Sequence, residues 1–174
     1  MNVQVTILMG SDSDLSIMQE AAKVLEELGV GSEVHVLSAH RTPEATVAYV
    51  REAEEKSVQV FICGAGGAAH LAGVVAAHTP LPVIGVPIMN KAASGVDALF
   101  STVQMPPGIP VATVAVNGAK NAGILAVQII GAGDTTVRQR MRDYKEKMAT
   151  TILAKDAQLQ EKGFKKYLED NNLI

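Results

Sequence analysis

The 174-residue chain has no tryptophan, one cysteine, three tyrosines and three phenylalanines. A lone cysteine, Cys63, excludes an internal disulfide, and its place at the end of an apolar run reads as a small buried thiol. So few aromatics leave nothing to sandwich a flavin or to stack on bases. Basic blocks are also missing and the formal net charge is −3, which argues against nucleic acid as a partner. No basic n-region precedes the strand-like residues that start at Val3, so the expected localisation is cytoplasmic. Phe61–Met89 lacks any formal charge, but its glycines and Pro80, Pro82 and Pro87 read as buried core and loop, not as a membrane span. No His, Cys, Asp and Glu set has metal-ligand spacing.

What is abundant is small apolar side chains. Counting Gly and leaving out Tyr, about 55% of the residues are apolar, against about 45–50% in typical domains. With few aromatics, the core falls to Ala, Val, Ile, Leu and Met, which suits close helix packing. A domain of this size has trouble hiding so much apolar surface alone, which suggests burial between subunits. The length suits a single domain, 1–174, with a core at about 1–131 and a helical tail at about 132–174.

The chain alternates strand-like and helix-like patterns. Val3–Met9, Glu33–Leu37, Gln59–Cys63, Pro82–Val86 and Val111–Val116 read as strands. Between them Leu15, Met18, Ala22, Leu25 and Leu28 recur at helical spacing, and Gly29 reads as the left-handed residue that ends that helix. Pro43 suits a first helical position with Thr42 as its cap, and that helix runs to about Lys56. A third helix follows the glycine-rich segment and reaches about Ala77. Lys91–Gly95 reads as a polar loop, Val96–Val103 as a short helix and Met105–Pro110 as a rigid turn. Asn121–Ile130 is apolar all round and reads as buried. Five β-α repeats call for a parallel sheet covered on both faces. Thr135–Leu168 is charged and helical, with an apolar stripe through Val137, Met141, Tyr144, Met148, Ile152 and Leu159. A tail of this length can reach a neighbouring subunit.

Three segments carry the chemistry. Met9–Asp14 (MGSDSD) and Ser38–Pro43 (SAHRTP) each follow a strand and precede a helix, where open parallel sheets bind ligands. Phe61–Gly73 (FICGAGGAAHLAG) supplies the third loop. Amides at a helix N-terminus, helped by Ser11 and Ser13, suit an anion, and Asp14 suits ribose hydroxyls. The same residues also suit plain caps, with Ser13 or Asp12 capping the helix. In SAHRTP, Arg41 suits a phosphate, and His40 is of the type that exchanges protons near neutral pH. A solvated surface loop is the alternative. The glycines at 64, 66, 67 and 73 fit neither GxGxxG nor a P-loop, and they suit either close strand–helix packing or close approach to a ligand. By itself His70 reads as structural. His35 and His78 have no evident companion in sequence, and Ser94 is not in a nucleophile elbow.

Taken together, MGSDSD, SAHRTP, GAGGAAHL, GVP, SGVDALFS and VQMPPGIPVATVA stand in the order and spacing of the class I N5-carboxyaminoimidazole ribonucleotide mutases of de novo purine synthesis. The resemblance covers about residues 3–131. It implies a flavodoxin-like three-layer α/β/α sandwich with a parallel five-stranded sheet, in a homo-octamer with sites at subunit contacts. It implies conversion of N5-carboxyaminoimidazole ribonucleotide to 4-carboxy-5-aminoimidazole ribonucleotide through a trapped CO2, without ATP, metal or organic cofactor. It also implies functional coupling to the ATP-dependent enzyme that makes the substrate. By the same resemblance His40 is the proton carrier and His70 lines its pocket. Ser11, Asp14 and Arg41 bind substrate, and Ser13 and Ser38 lie near the phosphate. Gly64–His70 is expected to form a closed, apolar pocket for the CO2, with Gly66 and Gly67 binding substrate.

Two alternatives differ in kind. A second class carboxylates aminoimidazole ribonucleotide directly, and resembles this fold without the GAGGAAH loop, which is intact here. A non-catalytic flavodoxin-like nucleotide-binding module fits the sheet pattern. Scarce aromatics speak against FMN, and the lack of Asp after the third strand speaks against a phospho-receiver.

Overall fold

The computed structural model describes residues 2–91 and 93–173. Met1 and Ile174, at the ends of the expected domain, and Ala92, in the loop read at 91–95, lie outside the described residues.

Apolar, β-branched runs form five parallel strands: β1 (Val5–Met9), β2 (Ser32–Val36), β3 (Val60–Gly66), β4 (Val83–Ile88) and β5 (Ala112–Thr113). Their order across the sheet is β2-β1-β3-β4-β5. This is the flavodoxin-like order, and it reverses direction between β1 and β3. Register brings the carboxyl ends level: Met9 lies opposite Val36 on one side and Gly64 on the other. The helices are α1 (Leu15–Glu27), α2 (Pro43–Glu55), α3 (Leu71–Ala76), α4 (Val96–Val103), α5 (Ala119–Gly133), α6 (Thr135–Lys162) and α7 (Phe164–Asp170).

Alternation along the doubly covered strands makes two cores. Val5, Ile7, Met9, Ile62, Ile84 and Val86 face α1 and α5, with Val137 and Met141 of α6 closing the edge. Leu8, Phe61, Cys63 and Val83 face α2 and α3 through Val50, Ala53, Leu71 and Val75. The layers are therefore helix, sheet, helix. Where α1 meets α5 the first core is built with small residues: Ala21, Ala119, Ala122 and Ala126 are all fully buried. Burial pushes the Cys63 thiol far up, so it stays an inert packing group.

Several boundaries differ from the sequence expectation. β3 runs on through Gly64, Ala65 and Gly66, because those residues pair with Val86, Pro87 and Ile88 of β4. β5 shrinks to two residues, paired only with Ile84 and Gly85. The segment around Asn121–Ile130 is buried on one face only, with Asn121 and Gln128 exposed. The tail is two helices: Gly163, at φ 73°, ends α6, and Lys162 Nζ meets Asp170 Oδ2 at 2.6 Å across the bend. Of the expected stripe, Val137 and Met141 are buried, but Met148 and Ile152 are 44% and 62% exposed.

Candidate active site

The loops after β1, β2 and β3 emerge side by side at the point where the strand order reverses. Leu37 N–H donates to Met9 O at 2.9 Å and Gly10 N–H to Gly64 O at 3.2 Å, which ties the three strand ends together. Between them lies a cavity of about 320 Å³. Gly10, Ser11 and Asp14 line it from the first loop, and Ser38, Ala39, His40 and Arg41 from the second. Ala65, Gly66, Ala68, His70 and Leu71 complete it from the third. A larger cleft of about 830 Å³ sits at the amino-terminal ends of β4 and β5, between Thr79–Val83 and Gly108–Pro110. It lies away from the strand ends that carry the motif residues.

In the first loop Asp12–Asp14 forms a single 3-10 turn. Ser11 caps it, its Oγ accepting from Ser13 N–H at 3.4 Å. Ser13 Oγ donates to Ser11 Oγ at 2.9 Å, so Ser13 supports Ser11 from outside the cavity lining. Neither Ser13 nor Asp12 caps α1: Asp14 holds the N-cap position without a side-chain bond to the helix, which leaves its carboxylate to the cavity. Burial raises the Asp14 pKa above its ordinary value, against the opposing pull of hydrogen bonds from Ser11 and Ser13 and the charge of Arg41.

The second loop folds on itself. Ser38 Oγ accepts from Arg41 N–H at 3.2 Å and from Arg41 Nε at 3.4 Å. Arg41 Nη2 donates to Gly10 O, so the guanidinium bridges the β1 and β2 loops at the cavity edge. In the third loop Gly66 runs against β4. An added Cβ would come within 3.1 Å of Ile88 O, so a side chain here would push the loop off β4 by a few tenths of an ångström. Gly67 has φ 65°, the left-handed turn that glycine adopts at least cost, and it lies just outside the lining. The turn swings His70 back to the N-terminus of α3.

There His40 and His70 meet. His40 Nε2 lies 2.9 Å from His70 Nδ1, with the rings perpendicular and their centroids 5.0 Å apart. One ring must donate and the other accept, so the pair holds complementary tautomers and has a path for a proton between them. Among the described residues no group of three His, Cys, Asp or Glu could hold a metal ion.

The profile of the AIR carboxylase family matches residues 4–151. This chain belongs to the AIR carboxylase family. Among AIR carboxylase relatives, an N5-carboxyaminoimidazole ribonucleotide mutase of Thermotoga maritima is 52% identical over 165 residues, covering 95% of this chain and 96% of the relative. One from Pyrococcus abyssi is 55% identical over 166 residues, covering 95% of each. A crystal structure of Treponema denticola PurE superposes with a TM-score of 0.82 at 31% identity, covering 90% of this chain and 98% of that one. The α/β sandwich is thus a shared architecture.

Sequence reasoning placed Ser11, Asp14, Ser38, His40, Arg41, Gly66 and His70, all of which line the cavity. It placed Ala65 and Ala68 in the Gly64–His70 segment expected to form an apolar pocket, but did not single out Ala39 and Leu71, which extend that wall and have as their signal only a position beside polar site residues. It also missed a companion for His35. His35 Nε2 lies 3.6 Å from Glu33 Oε2, and its ring is 4.4 Å from that of Tyr49, away from the cavity. His78 Nδ1 meets Val74 O, at 2.9 Å.

Proposed function

We propose that this chain is an N5-carboxyaminoimidazole ribonucleotide mutase, with His40 as proton carrier. The observation that carries this reading is the His40–His70 contact at the mouth of a small cavity whose other polar groups suit a ribonucleotide 5′-phosphate. Arg41, Ser11 and Ser38 hold the phosphate, supported by Ser13, and Asp14 accepts from the ribose hydroxyls. The C–N bond of the carboxyamino group breaks, its electron pair stays on nitrogen, and His40 delivers a proton there. CO2 remains against Ala39, Ala65, Ala68 and Leu71 as Gly66 and Gly67 close the loop. The ring carbon C4 adds to it, and the C4 proton then returns to His40. One proton is delivered and one returns, and the CO2 that adds at C4 is the one released from nitrogen, so no carboxyl group has to be activated by ATP. Confinement supplies the rate, because CO2 held beside C4 reacts at a high effective molarity, whereas free CO2 is diluted at once. His70 sets the tautomer of His40 through their shared hydrogen bond.

The test is an assay of the purified protein with N5-carboxyaminoimidazole ribonucleotide, without ATP. Conversion to the 4-carboxy product is expected. Turnover only of aminoimidazole ribonucleotide with bicarbonate would instead make the chain a direct carboxylase.

The reading extends to a cytoplasmic homo-octamer, coupled in function to the enzyme that supplies the substrate. Uncovered apolar side chains support contacts between copies: Val96, Phe100 and Val103 on α4 are 50%, 56% and 47% exposed. The tail, with Met148, Ile152 and Phe164 uncovered, packs on a neighbouring subunit in this view. Light scattering at micromolar concentration should give the octamer mass, and a monomer would overturn the assembly. No described helix is long and apolar enough to cross a membrane.

A further inference from the structure

Thr42 occupies the N-cap position of α2, yet its hydroxyl bonds no amide of that helix. It turns back to Ser38 instead. Ser38 N–H donates to Thr42 Oγ1 at 2.9 Å, and Thr42 Oγ1 donates to Ser38 O at 3.1 Å. One hydroxyl thereby engages both backbone groups of Ser38. Thr42 N–H also donates to Ser38 O, at 2.9 Å. Beneath them the buried Thr46 hydroxyl donates to Thr42 O at 2.9 Å and reaches Ser38 O at 3.4 Å. Ser38–Thr42 is therefore a closed ring, and the two residues inside it after Ala39 are His40 and Arg41.

We propose that Thr42 is the positioning residue of this site, which rests on the mutase reading above. It touches neither the cavity nor, on that reading, the substrate. It acts through Ser38, whose side-chain oxygen accepts from Arg41 N–H and Nε. Arg41 in turn reaches Gly10 O across the strand ends. The order of dependence is Thr42, Ser38, Arg41 and then the β1 loop. His40 has a second restraint, its contact with His70. Loss of the hydroxyl should therefore loosen the phosphate clamp more than the proton carrier. An ordinary helix cap would show the opposite: lower stability with the kinetic constants intact, because a cap acts on the helix and not on a loop that precedes it.

The test compares the full-length protein with Thr42→Val and Thr42→Ser, assayed with N5-carboxyaminoimidazole ribonucleotide below all melting temperatures. Thr42→Val keeps the shape and loses the hydroxyl. Its kcat/KM should fall at least about tenfold, with most of the loss in KM, in line with the roughly hundredfold cost of a misplacement of about 1 Å in such sites. Thr42→Ser restores the hydroxyl and should stay within about threefold of the parent. If Thr42→Val does not fold, Thr42→Ala removes the same hydroxyl and carries the same comparison. Unchanged kcat and KM in the variant lacking the hydroxyl, with only melting altered, overturns the proposal. So does a serine variant as impaired as the valine variant. An inactive parent would instead remove the mutase reading, and this proposal with it.

Discussion

Replacing Tyr49 with phenylalanine deletes one oxygen from the joint between α2 and the edge strand β2. Tyr49 Oη donates to Glu33 Oε1 and lies 3.2 Å from the hydroxyl of Thr6, a fully buried residue. A hydrogen bond to a charged group is worth about 1.5–3 kcal/mol. The Glu33 side chain is 33% exposed, so water recovers part of the loss and the lower end applies, about 1.5 kcal/mol. For a chain of this length that lowers Tm by about 3–6 °C. The pH dependence has a definite sign. Glu33 is held below its ordinary value of 4.5, first by the Tyr49 hydrogen bond, against burial and with help from His35. Stability from a carboxyl depressed in this way is present above its unfolded value and lost as pH falls through its folded value. The gap between parent and Tyr49→Phe should be full at neutral pH and narrow below 4.5. Melting followed by circular dichroism at fixed protein concentration reads this directly. A gap that is absent at neutral pH, or that widens in acid, would refute the assignment of Tyr49 as the donor that stabilises ionised Glu33.

His40→Asn should lower turnover by about 10²–10⁴, the range for loss of a general acid–base group. Its Tm should barely move, since His40 is exposed and its side-chain hydrogen bond is to the equally exposed His70; near-normal turnover would shift the proton role to His70. Arg41→Lys keeps the charge but cannot reach Ser38 Oγ and Gly10 O with one rigid fork, so substrate binding should weaken by about 1–3 kcal/mol, read as a rise in KM. Asp14 has a raised folded pKa from burial, so its stabilising contribution is complete below 3.8 and lost as pH rises through the folded value. Asp14→Asn should therefore hold or slightly raise Tm at neutral pH while KM rises, and a marked fall in Tm would contradict that sign.

Most of the architecture was legible because its signals are local. Gly29, at φ 66°, ends the first helix as a left-handed residue should, and Pro43 sits in the first turn of α2. The helix Val96–Val103 has its expected ends. The misreadings are those where pairing overrides composition. Gly64–Gly66 looks like loop because glycine is depleted in strands, but β4 offers partners for all three residues. Val111–Val116 looks like strand, yet after Thr113 the backbone bonds to β4 only through Val114 N–H to Gly85 O and Asn117 N–H to Pro87 O. Asn117, at φ 58°, has already left the extended conformation. In the site, the polar residues announce themselves by type. Sequence cannot show that Thr42 turns away from its helix, because a threonine before Pro-Glu reads as a cap whichever way its hydroxyl points.

The parallel register has a consequence for how the chain acquires activity. Val5 pairs with Val60, and Phe61 with Val83, so each strand beside the cavity waits for a distant segment. Helices α1 and α2 can form in about a microsecond from local contacts, whereas non-local parallel pairing is slow. Ser11, His40 and His70 therefore exist as residues long before they exist as neighbours. During refolding the helical signal should return first and activity last, once β3 has docked between β1 and β4 and Gly66 lies against Ile88. On the ribosome the same order holds. A nascent chain that has emerged through His70 carries every polar side chain that lines the cavity but not yet the strand against which its third loop is shaped. Enzymatic competence is in this sense a clock for completed topology, and variants that slow the β3–β4 pairing should delay it without changing the final turnover rate.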